Sequence, residues 1–275
     1  FMKYSIKIIQ CIVVLAGLVI SRCSCKKYLD INTDPTTATS VEPKLLFGYA
    51  ITSWSAKRCD GDGNFPFAFA VQSVSDGGNY GFTVGDVYDL SPTSLNNHWG
   101  TYYSVAGNNL QLAIKQAIAN GDANTEAQCK VVMAALMYEA TMTFGDIPYS
   151  ESWNTAFPYP KFDAQKDVLD ALVASLDEAY GKFDEASPLK IKDYDVYYGG
   201  DIARWKKLAK SLKLRILMAM VDKDPSKAAA IGALVSDPAS LITDPATENW
   251  LFKYKTTTNN ENPKFRFCKQ YASYP

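Results

Sequence analysis

The sequence predicts an all-α protein of tetratricopeptide-like helix pairs with irregular, loop-rich insertions. Apolar residues recur at three- and four-residue spacing through most of the stretch from Trp99 to Val235. The helical runs are separated by short turn signals, Asn120-Gly121 first and Gly145-Asp146-Ile147-Pro148 second. Hydrophobic residues make up 47% of the 275, enough to bury a sizeable core. No clean 34-residue repeat recurs, so the pairing rests on helix lengths and turns.

Residues 1–24 read as a lipoprotein signal peptide. Lys3 and Lys7 precede an apolar run, Ile8 to Ile20, interrupted only by Gln10 and too short to span a bilayer comfortably. The run ends at Ser21-Arg22-Cys23-Ser24-Cys25. A small residue before a cysteine marks Cys25 as the acylated position, because Ser24 is small whereas Cys23 follows the bulky Arg22. A plain secretory signal is the other reading. Residues 25–42, with Asp30, Asp34, Pro35 and a Thr-rich run, form an extended membrane tether. Residues 43–275 form the helical domain.

Pro43 suits the first turn of a helix reaching about Lys57. Residues 58–95 are rich in Gly and turn residues and lack helical periodicity. Trp99, Tyr102, Ala106, Leu110, Ala113 and Ala117 then share one helical face. A helix from about Glu126 to Thr143 is apolar almost all round and should be deeply buried. The next runs from Ala164 to Phe183. The one after it, Ile202 to Val221, adds a second stripe of Leu214, Leu217, Met218 and Val221, which places it in the middle of a stack. Ser226 to Val235 is a shorter helix started by Asp224-Pro225.

Charge excludes some partners. Without residues 1–24 the balance of 28 basic against 29 acidic groups becomes 25 against 29, a net of −4, which gives no reason to expect nucleic acid. Of the six cysteines, Cys59, Cys129 and Cys268 would remain free of the leader and the lipid. None sits in a paired C-x-x-C arrangement, so no zinc site is expected; Cys129 reads as a small core residue, and a Cys59–Cys268 bridge is open.

Three stretches resemble one family. Gly145-Asp146-Ile147-Pro148-Tyr149-Ser150-Glu151 is similar to the GDIPY signature of SusD/RagB lipoproteins. Tyr198-Gly199-Gly200-Asp201, followed by Trp205, Leu208-Ala209 and Ser211-Leu212-Lys213-Leu214-Arg215, resembles the same family's Y-x-G-D and W-x-x-(F/L)-A-x-S-L-x-L-R segment. Cys25 to Pro35 is similar to its mature N-terminus. The resemblance implies an outer-membrane, lipid-anchored protein facing the cell surface. It implies that a glycan or peptide ligand is passed to a TonB-dependent transporter of the SusC/RagA type. It also implies a longer protein, of which this chain is the N-terminal part.

Most of the matched residues read as scaffold. The turn at Gly145 needs only an Asp146 side chain bonding local amides, and Trp205 with its leucines reads as core. Arg215 lies among Leu212, Leu214, Ile216 and Leu217, so it is expected to be buried and paired with Glu139 of the apolar 126–143 helix. Asp60, Asp62 and Asn64 alternate as calcium ligands do. Phe65 and Val71 stand where the loop needs Gly and Glu, so no metal and no cofactor is expected. Trp54, Asn79 and Tyr80 combine rings with polar groups near the glycine-rich loop and are the ligand-binding candidates. His98 is the only histidine, and neither G-x-S-x-G nor a P-loop occurs, so no catalytic residue is named. A lipid-anchored protein–protein scaffold and a carboxylate-pair glycoside hydrolase are the alternatives.

Overall fold

Pro43 opens helix α1 (Pro43–Arg58), at a position where its missing N–H would have been unbonded anyway. The computed structural model describes residues 41–59, 95–257 and 260–271. All of these except Val41 belong to the unit Glu42–Pro275. Cys25, Asn79, Tyr80 and the Asp60, Asp62, Asn64 cluster lie outside the described residues.

The helices follow as α2 (Asn96–Gly100), α3 (Asn108–Ala119), α4 (Ala123–Phe144), α5 (Gln165–Lys182), α6 (Ile202–Met220), α7 (Ala228–Val235) and α8 (Pro263–Tyr271). A π-helical segment, Thr101–Gly107, joins α2 to α3. Two-residue strands β1 (Ile147–Pro148) and β2 (Phe162–Asp163) pair antiparallel, Ile147 opposite Asp163, and are the only sheet among the described residues. Chain neighbours are also packing neighbours: α3 lies on α4, α4 on α5, α5 on α6, while α1 packs on α3. This is the expected all-α stack of helix pairs.

Helix α4 is its centre. Asp122 caps it by accepting from Thr125 N at 3.0 Å, and Gly145 ends it at φ 78°. It begins one turn before the predicted Glu126, because Asn124, Thr125 and Glu126 are buried yet bonded. Glu126 pairs with Lys130 at 2.7 Å and Lys182 at 3.1 Å. Asn124 donates to the carbonyls of Asp184 (2.9 Å) and Leu189 (3.0 Å) and accepts from Asp184 N (2.8 Å). Gln128 grips both peptide groups of Ile191, donating at 3.0 Å and accepting at 2.9 Å. These side chains hold the strap between α5 and α6 against α4 and satisfy its buried main chain.

Helix α6 departs from expectation. Its first stripe is buried, from Ile202 through Trp205, Leu208 and Leu212 to Ile216. Of the second, Leu217 is buried, but Met218 is 54% exposed and Leu214 and Val221 are half-buried. Helix α7, which packs on α6, has no buried residue. That flank of α6 is therefore an outer face among the described residues.

The turn after α4 also differs in detail. Asp146 accepts from Gln165 N at 2.9 Å, nineteen residues on, so it bonds the start of α5 and not its own turn. Asp163 on β2 takes the amides of Tyr149 (3.1 Å) and Ser150 (2.6 Å). The Tyr198-Gly199-Gly200-Asp201 turn is organised by buried Asp195. Its carboxylate accepts from the amides of Tyr197, Tyr198 and Gly200 at 2.9–3.1 Å and from Trp205 Nε1 at 2.7 Å. Gly200 has φ 81°, and a Cβ there would sit 3.1 Å from the Ile191 carbonyl, so only glycine fits.

Candidate functional site

Trp54 and Arg58 lie one turn apart on α1 and so share a face. Tyr138 and Glu139 on α4 and Arg215 on α6 complete a cleft of about 750 Å³, with Trp250 at its side. The volume is in the range of about 300–1,000 Å³ that holds small ligands.

Glu139 is the hub of this cleft. Its Oε1 accepts from Trp54 Nε1 at 3.2 Å and from the Tyr102 hydroxyl at 2.9 Å, and its Oε2 meets Arg58 Nε at 2.8 Å. Burial, with the Glu139 charge beside it, holds the Tyr102 phenol well above its ordinary range. The Arg58 guanidinium also lies over the Trp54 ring, 5.3 Å from its centroid.

The expected Glu139–Arg215 ion pair does not form. Arg215 is exposed, its guanidinium 5.7 Å from the Tyr138 ring, with no carboxylate in ion-pair reach among the described residues. It stands on the outer flank of α6, where water solvates the charge and removes the need for a partner. Both residues nevertheless line the same cleft.

Trp54 lies where a ligand candidate should, but only 4% of it is exposed and its N–H is taken by Glu139. Its ring is a wall and not an open platform. The more accessible rings are Tyr138 and Trp250, which the sequence reading passed over. Trp250 packs 5.8 Å from Trp54, and its buried Nε1 has no hydrogen-bond partner among the described residues. The one available signal was that Arg58 follows Trp54 at four-residue spacing; Tyr102 read only as helix face.

His98 is buried at the cleft's edge, its ring 6.0 Å from Tyr102. Cys59 carries a free thiol, and the side chain of Cys268 lies outside what is described. The Tyr254 hydroxyl donates to Ser55 O at 2.6 Å and lies 3.4 Å from Cys59 Sγ. Cys129 is buried and free, as a core residue should be. Among the described residues no three metal-ligating side chains converge. Glu139 already has donors on both oxygens, so its carboxylate is committed to fixing Trp54, Tyr102 and Arg58 at the cleft wall.

The family of SusD-like proteins described as starch-binding and associating with the outer membrane matches residues 36–272. The chain belongs to the SusD-like family. Solved structures share the fold. A SusD/RagB family protein from Bacteroides thetaiotaomicron is 23% identical with a TM-score of 0.74, over 85% of this chain and 49% of that one. A SusD homologue from Parabacteroides distasonis is 22% identical with a TM-score of 0.68, over 85% and 45%. A chitin-binding protein is 22% identical with a TM-score of 0.65, over 83% and 49%. This SusD-like chain spans about half the length of these structures. No curated protein sequence matches it.

Proposed function

We propose that this SusD-like chain is the binding part of an outer-membrane nutrient-uptake lipoprotein, with no chemistry of its own. It is anchored through lipid on Cys25, faces outward, and holds a glycan or oligopeptide for transfer to a TonB-dependent transporter of the SusC/RagA type. Family membership supports this reading, and the cleft around Glu139 is the observation that carries it. Glu139 fixes the wall rings, while Arg215 and the Trp250 N–H offer donors to hydroxyl or carbonyl oxygens. Rings and donors together are what sugars and peptides require. Asn79 and Tyr80, of the glycine-rich stretch that follows α1 in sequence, remain in the proposed ligand set, with Trp54 serving as the cleft wall.

Titration of the full chain with glycan and peptide libraries, followed by tryptophan emission, tests this. Arg215→Ala should weaken whichever ligand responds by about tenfold or more, the worth of one charge-assisted bond. Silence toward every nutrient would favour a protein–protein scaffold, and sugar release abolished by a carboxylate substitution would favour a glycoside hydrolase.

A further inference from the structure

A second concavity, of about 490 Å³, opens beside the β1–β2 connection, with Trp99, Tyr103 and Trp153 as its rings. Trp153 stacks on Tyr103 at 5.6 Å and 26°, and Trp99 lies 4.7 Å from Tyr103. Trp99 in turn stacks on Phe162 at 6.3 Å and 21°. Two of the rings are pinned by hydrogen bonds. Trp153 Nε1 donates to Tyr103 O at 2.9 Å, and the Tyr103 hydroxyl donates to Pro148 O at 2.8 Å.

The backbone is shaped around these rings. Gly107 ends the π-helical segment, and a Cβ there would lie 2.5 Å from the Trp153 ring. Trp153 itself has φ 56°, the only non-glycine residue with positive φ among the described residues. Such a conformation costs about 1–3 kcal/mol and persists where the surroundings hold it for a purpose. π-segments, too, are found mostly at functional positions.

The polar lining decides the ligand class. It consists of Ser104, Asn108 and Ser152, with no charged side chain. The Ser152 hydroxyl is buried and has no hydrogen-bond partner among the described residues, a state that needs a partner from outside. Hydroxyls and a carboxamide both donate and accept, which matches sugar hydroxyls, whereas a proline-rich peptide presents mainly acceptors. The carboxylates of the neighbouring segments are engaged, Asp163 with the amides of Tyr149 and Ser150 and Glu151 with the amide of Lys161.

We infer that this groove is a second binding site, specific for a neutral oligosaccharide whose pyranose faces stack on the Trp99 and Trp153 rings that flank Tyr103. It is separate from the Glu139 cleft and chemically unlike it, since that cleft presents two guanidiniums and a carboxylate.

The test is to add maltohexaose, cellohexaose and xylohexaose, with an oligogalacturonide as acidic control, to the full chain labelled with ¹⁵N at tryptophan. At least one neutral sugar should shift the Trp99 and Trp153 indole signals at about 1 mM, a weak-binding range. Ser152→Ala and Asn108→Ala, neither in the core, should each weaken it about fivefold, and Arg215→Ala should leave it unchanged. Shifts confined to Trp54 and Trp250 would keep the cleft reading and overturn this one. An equal response to the acidic control, or none from Trp99 and Trp153, would overturn it as well.

Discussion

Trp54 donates its indole N–H to Glu139 across eighty-five residues of chain, and this bond joins α1 to α4 at the cleft wall. A residue selected from sequence as a binding ring thus serves first to aim a carboxylate.

The partners of Glu139 should not contribute equally. Glu139→Leu strands the Trp54 N–H and the Tyr102 hydroxyl, costing about 2–6 kcal/mol at about 1–3 kcal/mol per stranded group. Arg58→Ala should cost less than about 1 kcal/mol, because its side chain is 55% exposed. Urea denaturation midpoints check both. Equal losses would mean that the ion pair, and not the buried hydrogen bonds, holds the wall.

Asp195 is the second hub. Asp195→Ala removes the acceptor for three amides and the Trp205 indole, and should cost about 3–5 kcal/mol. Asp195→Asn keeps one oxygen and should recover part of that. A loss under about 1 kcal/mol on thermal unfolding would show that the double-glycine turn holds itself.

Acid should weaken the Glu248 contact in a defined window. The Lys207 ammonium, with the amides of Thr243 and Asp244, lowers the Glu248 carboxyl to about 2. A depressed carboxylate contributes stability that is present above its unfolded value of 4.5 and lost as pH falls through about 2. The melting temperature should fall over that interval more steeply in the native chain than in Glu248→Gln. Parallel curves would remove Glu248 from the acid response.

The thiols should differ in reactivity. Burial pushes the Cys129 thiol far above its ordinary range, whereas Cys59 is half-exposed. Iodoacetamide on the folded chain should modify Cys59 and spare Cys129, as read by peptide mass. Modification of both at one rate would mean that α4 opens readily.

Helix positions were legible because their signals are local: Pro43 at a start, Asp224 accepting from Ser226 N at 3.2 Å, Gly145 at a stop. Apolar spacing also located α4 as the buried centre. Rotation and partnership were not legible. The leucines around Arg215 suggested burial, but Met218 and Arg215 face outward, since periodicity gives a face and not its neighbour. Arg58 as the partner of Glu139, and Asp195 as the acceptor behind the double-glycine turn, depend on contacts between separate segments. The groove at Trp153 was invisible because its Trp99 read as helix face and its π-segment leaves no spacing signature.

The Asn124 and Gln128 grips have an evolutionary side. They engage peptide groups, which every residue but proline supplies in full, so selection at these contacts is blind to the letters of the strap from 184 to 191. Side-chain changes at exposed strap positions such as Glu185 and Leu189 leave these contacts intact, whereas Ile191 is itself core and a single inserted residue would throw the grips out of register and release the strap from α4.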